Sequence, residues 1–474
     1  MYYFTSINAY YIAKAKILAS SIKETDKNAK FILVLSDDLP DNINLDNEPF
    51  DDIIFTDQID EFNKGTFFKY NITELCTAVK PYSAKYIMEK YNADSICYLD
   101  PDIKVYSELI ELKEILKTYS IVVTPHNTVP EEKHDFIVGN EILFLKRGTY
   151  NFGFFAVKND EEGIKFLDWW HSRLKKYCVD DKKTVPALTE QTGYVGCFTD
   201  QKWADLIPSF FDNYYVLKHP GYNLSTWNIT TKNIEYKYGE YLINDKPLRF
   251  FHFSGFDSRL HHYVLNMICN HYPHLEIVKN LSKEYEELHD KSISQDNLKE
   301  WKYARFSNGE KIDDEYRRIY LIREDVQNYF TNPFDNESEH NFMIWANTEY
   351  GNMLFGSEID LSEQILVKTR HIKYHIDIKN ICNNKIEITG WAFYKKGNVS
   401  GQVYIGLKND LGKEHFFKAN TTYRHDVAEH FKMPTLIKSG FSLYIDVNEK
   451  MTLTSIIIEI NKTYYYKAVQ NKIF

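Results

Sequence analysis

Ser95-Ile96-Cys97-Tyr98-Leu99-Asp100-Pro101-Asp102-Ile103 is an apolar run that ends in two carboxylates one residue apart. The run has the length and composition of a buried parallel strand with a sharp stop. Pro101 cannot donate to a sheet ladder, so the chain must leave the sheet there. Ligands of open α/β sheets bind at the carboxyl ends of the strands, which puts Asp100 and Asp102 at the rim of a crevice. Two hard oxygen ligands at such a rim suit Mg²⁺ or Mn²⁺ carrying a diphosphate. A strand followed by a merely acidic turn is the plainer alternative.

Working outward, residues 1 to 260 alternate strand-like and helix-like segments. Tyr2 to Thr5, Phe31 to Leu35 and Ile121 to Val123 are expected strands. Ala9 to Glu24 carries Ile12, Ala15, Ala19 and Ile22 at helical spacing, and Gly163 to Cys178 carries Ile164, Phe166, Leu167, Trp170 and Leu174. Thr73 to Tyr91 also reads as a helix, in which Pro81 marks either a kink or a late start. The alternation predicts a mainly parallel sheet covered by helices on both faces. Thr5-Ser6-Ile7-Asn8 is a small polar loop opening a helix, whose free N–H groups suit a phosphate or a base. Neither GxGxxG nor a Walker motif is present, which disfavours dinucleotide oxidoreductases and P-loop ATPases.

Residues 261–368 are rich in charge and helix formers and predict a helical extension, either an acceptor-side wall or a strut. Residues 369–474 switch to period two: Ile386 and Ile388 alternate with Lys385, Glu387 and Thr389, and Phe441, Leu443, Ile445 and Val447 with Ser442, Tyr444 and Asp446. Short alternating strands with turns between them predict a β-sandwich.

The 474 residues exceed one core of usual size, so two or three domains are expected. An apolar fraction of 43% is that of a globular chain. The 16% aromatic content suits sugar-facing surfaces as well as ordinary strands and cores. A net charge of −10 without a long basic block gives no surface for sequence-independent nucleic-acid binding. It also disfavours broad adsorption to anionic lipid, with a local basic patch left open. No signal peptide and no run of 18 apolar residues is seen, and six scattered cysteines contain no CxxC pair, which fits a reducing cytosol.

Tyr98-Leu99-Asp100-Pro101-Asp102-Ile103 resembles the DxD motif of bacterial GT-A fold glycosyltransferases. Three further segments follow in the family's order: Asn151-Phe152-Gly153-Phe154-Phe155-Ala156-Val157, Thr199-Asp200-Gln201-Lys202-Trp203, and Phe251-His252-Phe253-Ser254-Gly255. Together they are similar to glycogenin-like and lipopolysaccharide galactosyltransferase-like enzymes. Gly390-Trp391-Ala392, Arg424-His425-Asp426-Val427-Ala428 and Ser439-Gly440-Phe441 resemble an accessory β-domain appended to such enzymes.

The resemblance implies a cytoplasmic, Mn²⁺- or Mg²⁺-dependent transferase, at the inner face of the membrane or with other polysaccharide-synthesis proteins. It would move a sugar from a nucleotide donor, a UDP-sugar, to a glycan or lipid-linked glycan in surface polysaccharide synthesis. Asp100, Asp102 and His252 would bind the metal. Thr5, Ser6, Asn8, Lys80, Asp100, Asn151 and Gly153 would bind the donor, and Asp200 and Gln201 would act at the anomeric carbon. A buried core histidine, a solvated helix lysine and a simple helix N-cap are the structural alternatives for His252, Lys80 and Asp200. The late glycine is followed by Phe256-Asp257-Ser258 rather than the family's lysine and Pro-Trp, so diphosphate contacts must come from elsewhere. A retaining course fits the motifs better than an inverting one. A sugar-phosphate nucleotidyltransferase and a non-catalytic carbohydrate-binding protein are the rival readings.

Overall fold

A computed structural model describes the chain except residues 41–46, 181–196, 257–258, 294–299, 339–340, 354–357, 362–363, 383–384, 423, 447–449 and 470–474. Asp257, Ser258 and Val447 therefore lie outside the described residues. By internal contacts the described chain divides into two compact units, one running to Arg317 and the other from Arg318.

In the first unit, β1 (Tyr2–Ile7), β2 (Lys30–Leu35), β3 (Asp52–Phe55), β4 (Ser95–Leu99), β6 (Ile121–Pro125), β7 (Tyr150–Lys158) and β8 (Tyr214–Val216) form one sheet in the order β3-β2-β1-β4-β7-β6-β8. β5 (Ile103–Val105) lies outside this sheet. The pairs β1–β2, β2–β3, β1–β4 and β6–β8 are parallel, whereas β7 runs antiparallel to β4 and β6. The sheet is thus mainly parallel, as the alternating pattern predicts.

Strand order reverses at β1, which has β2 on one side and β4 on the other. Their carboxyl ends open the crevice expected at a topological switch. Alternation sorts the two faces. Tyr3, Phe31, Leu33, Cys97 and Leu99 pack with Ala15, Leu18 and Ile22 of α1 (Ile12–Thr25). On the other face, Phe4 meets Tyr98 and Phe155, and Phe155 meets Trp170 edge-on.

Local chemistry sets the helix ends. α2 (Lys64–Lys69) begins at Asn63, whose side chain accepts from Thr66 N. α3 (Ile72–Ala78) begins with a capping box between Asn71 and Glu74. α4 (Lys80–Tyr91) follows at once, with Pro81 in its first turn, where no N–H is needed. The single helix expected over Thr73–Tyr91 is therefore two, and Pro81 marks a start rather than a kink. α5 (Ile110–Ile115), α6 (His134–Phe136) and α7 (Ile142–Arg147) precede α8 (Glu161–Tyr177), which Asp160 caps through Gly163 N. Trp170 of α8 is fully buried.

β9 (Ile234–Lys237), β10 (Glu240–Ile243) and β11 (Lys246–Pro247) form a small antiparallel sheet. β12 (Phe250–His252) pairs antiparallel with β5. The helices Arg259–His271 and Val278–Ser292 belong to this unit too, and Tyr285 stacks on Phe253 at 4.0 Å.

The second unit is helical over Asp314–Ile322, Glu324–Tyr329 and Phe342–Met353, the first of these helices straddling the division, and then all β. A six-stranded and a four-stranded sheet share one core. Ile386, Ile388, Phe441, Leu443 and Ile445 of the four-stranded sheet meet Val403, Ile405, Ile456 and Ile458 of the six-stranded one. This is the sandwich that the period-two pattern predicts.

One buried cation in the first unit has a stability consequence. Lys69 is 6% exposed. Burial, with Lys175 and Lys176 nearby, lowers its ammonium to about 8. The unfolded lysine titrates near 10.4, so between these values the unfolded chain holds a proton that the folded one releases, and stability rises with pH. Lys69→Met should stabilise the protein at pH 7 by on the order of 2 kcal/mol. Urea unfolding at pH 7 and at pH 10 checks this, because the advantage should shrink at the higher pH.

Candidate functional site

The chain leaves β4 at Asp100 and is pinned there, since Asp100 N donates to Gly153 O at 2.8 Å across the β4–β7 ladder. Pro101 turns it into β5, and Phe253 N donates to Asp102 O at 2.8 Å along the β5–β12 ribbon. These two tethers bring His252 to the acidic pair. Its Nε2 lies 3.1 Å from Asp102 Oδ1 and 3.8 Å from Asp100 Oδ2. Asp100, Asp102 and His252 offer one ligand atom each, all within 4.8 Å of one another. Burial opposes charge on both partners of the Asp102–His252 pair, but their mutual attraction outweighs it. The carboxyl sits below its ordinary value and the imidazole above.

Gly153 stands in front of this cluster. A Cβ there would lie 2.5 Å from His252 Cε1 and 2.8 Å from both Asp100 Oδ2 and Asn151 Oδ1. Close approach to the site therefore accounts for the glycine, which also lies where the β6–β7 register shifts, between Phe155 and Tyr150. Two carboxylate oxygens, one imidazole nitrogen and the space left by Gly153 fit a divalent ion such as Mn²⁺ or Mg²⁺.

The second cluster centres on Lys80, in the first turn of α4. Its ammonium donates to Asp200 Oδ2 at 3.0 Å, to Phe152 O at 3.2 Å and to Asp100 Oδ1 at 3.5 Å, and lies 4.2 Å from the centroid of the Tyr98 ring. Tyr98 OH donates to Asp100 Oδ1 at 2.6 Å. Burial alone would lower the Lys80 ammonium, yet Asp100 and Asp200 raise it above the usual lysine value. Burial raises the Asp200 carboxyl, and Lys80 offsets only part of that. Lys80 is thus a buried, charged member of the site and not a solvated lysine.

Asp200 stands at the N-cap of the short 3-10 helix Gln201–Leu206, but its side chain makes no cap hydrogen bond. The plain N-cap alternative is not realised, because the carboxylate turns to Lys80 instead. Gln201 Oε1 accepts from Phe152 N at 3.2 Å, and its Nε2 donates to Arg147 O at 3.1 Å, so the amide braces β7. Asn151 Oδ1 accepts from Gly153 N and Asn223 Nδ2, and its Nδ2 contacts His126 Nε2 and Gln201 Oε1.

Both clusters line one cavity of about 350 Å³, together with Ser6, Asn8, Tyr11, Asn151, Gly153 and Gln201. Ser6 Oγ and Asn8 Nδ2 are buried there without a hydrogen-bond partner among the described residues. Thr5 is fully buried, and its Oγ1 likewise has no hydrogen-bond partner among the described residues, but Ser6, Ile7 and Asn8, not Thr5, line the cavity.

Three neighbours escaped sequence reasoning. Tyr98 reads only as a strand residue. Asn223, which bonds the His252 ring, lies in a loop. His126, whose imidazole burial lowers to about 4, follows β6 with no motif around it.

No family model matches the chain. Uncharacterized protein YfnD of Bacillus subtilis (strain 168) is 27% identical over 184 residues, 39% of this chain and 54% of that protein. The chain thus spans about half the length of this curated relative. Similar solved structures include galactosyltransferase LgtC in complex with donor and acceptor sugar analogs, with a TM-score of 0.37 and 16% identity over 63% of this chain and 98% of that one. Glycosyltransferase GlyE of Streptococcus pneumoniae TIGR4 has a TM-score of 0.33 and 15% identity over 63% and 66%. Mouse xyloside xylosyltransferase 1 has a TM-score of 0.29 and 11% identity over 54% and 97%.

The site generates a stability prediction of its own. Lys80→Met leaves two acids facing each other in a buried setting and should cost about 3 kcal/mol. Adding Asp200→Asn should recover part of that loss. Denaturant unfolding of the two single variants and the double variant checks this, and simple additivity would contradict the pairing.

Proposed function

We propose that the chain is a metal-dependent GT-A glycosyltransferase. It takes a sugar from a nucleotide-diphosphate donor, a UDP-sugar, and gives it to a glycan or lipid-linked glycan in bacterial surface polysaccharide synthesis. The observation that carries this reading is the convergence of Asp100, Asp102 and His252 in one cavity with the Lys80–Asp200 pair. In this reading residues 1–260 are the nucleotide-sugar domain, 261–368 a helical extension and 369–474 an accessory sandwich. No helix among the described residues is long and apolar enough to cross a membrane.

Asp100, Asp102 and His252 would hold the ion, which when bound supplies positive charge to the leaving diphosphate. Ser6 and Asn8 offer their unpartnered polar atoms to the nucleoside. Lys80 keeps a fixed positive charge beside the donor and orients both acids. Asn151 and Gly153 shape the sugar pocket, where the bare glycine lets a ring approach Asp100. Asp200 holds a sugar hydroxyl beside the anomeric carbon, and Gln201 keeps that loop against β7. A retaining course is preferred, since Lys80 engages the Asp200 carboxylate, leaving it less open to an acceptor hydroxyl.

A panel of nucleotide sugars tests the reading. With Mn²⁺ one of them should be hydrolysed slowly or transferred; EDTA should abolish turnover and added Mn²⁺ should restore it. Asp200→Asn should keep donor binding and lower transfer on the order of a hundredfold or more. Formation of a nucleotide sugar from a sugar phosphate and a nucleoside triphosphate would instead establish a nucleotidyltransferase.

A further inference from the structure

We propose that Asn223 is the positioning residue for the metal-binding histidine. This inference rests on the metal site of the proposed function. Asn223 is 1% exposed and has a left-handed backbone, φ +53. Asparagine accepts that conformation more readily than most residues with a Cβ. Its side-chain amide makes three contacts. Nδ2 donates to Thr124 Oγ1 at 2.9 Å and to Asn151 Oδ1 at 3.0 Å. Those two donations orient the amide and leave Oδ1 facing His252 Nδ1 at 3.3 Å.

The consequence is chemical. An imidazole that donates its Nδ1 proton to a fixed oxygen presents the Nε2 lone pair to a metal, and the donated bond also holds the ring plane. His252 Nε2 is the atom that faces Asp102 and Asp100. Without the Asn223 oxygen the ring has no such restraint on its Nδ1 side. The same amide donates to Asn151 beside Gly153, so one residue spans the sugar-pocket strand and the metal ligand.

Mn²⁺ binding by the whole chain without donor, followed by the EPR signal of the free ion, tests this. Asn223→Gly keeps the left-handed backbone and removes the amide, and should weaken Mn²⁺ binding ten- to hundredfold. Asn223→Asp keeps an oxygen for His252 Nδ1 but loses the two donations that orient it, so its Mn²⁺ affinity should fall between those of the glycine variant and the native chain. Should the glycine variant fail to fold, Asn223→Ser, whose hydroxyl is one atom short of His252, carries the same expectation. Native affinity in Asn223→Gly or in Asn223→Ser would overturn the positioning role and leave the metal site standing. A native chain that binds no Mn²⁺ would overturn the metal site and the inference with it.

Discussion

A buried ammonium between two carboxylates is the constraint on which the candidate site depends. Lys80 reaches Asp100 at the end of β4, Asp200 in a loop far along the chain, and the backbone of Phe152 in β7. Three separate segments are thereby held around one charge. Asp100 and Asp200 would otherwise repel each other in a poorly solvated place. Position 80 can supply this cation because α3 ends at Ala78 and α4 starts again, placing the lysine in a first turn rather than on a continuous helix face.

The second cluster uses backbone pairing instead of charge. The β4–β7 ladder pins Asp100 and the β5–β12 ribbon pins Asp102, while His252 enters from the ribbon's second strand. Gly153 keeps the space between them open. Asp100 belongs to both clusters, so the place where an ion would sit is tied through a single side chain to the lysine and to Asp200. The crevice at the switch between β1 and β4 exposes both clusters to the same cavity.

The parts legible in the sequence were those with local physics. An apolar run stopped by proline predicts a strand end with carboxylates at its rim, and period-two alternation predicts the sandwich. His252, Asp200 and Gln201 were reachable only through resemblance and motif order, since nothing within a few residues of them marks a site. Long-range contacts were not legible: Lys80 and Asp200 are 120 residues apart, and Asn223 and Asn151 are 72 apart. Thr5 lies within β1 on the face of Tyr3, while its neighbours Ser6 and Ile7 reach the cavity. Gln201 lines the cavity, and its amide also bonds Phe152 N and Arg147 O.

The proposed function requires Asp100, Asp102 and His252 together to hold one divalent ion. Anomalous scattering at the manganese edge, from crystals grown with Mn²⁺ and UDP, tests it directly. One strong peak is expected within about 2.0–2.6 Å of an oxygen of each carboxylate and of His252 Nε2. A bound UDP with no peak at that position, or with the ion held by other residues, would contradict it.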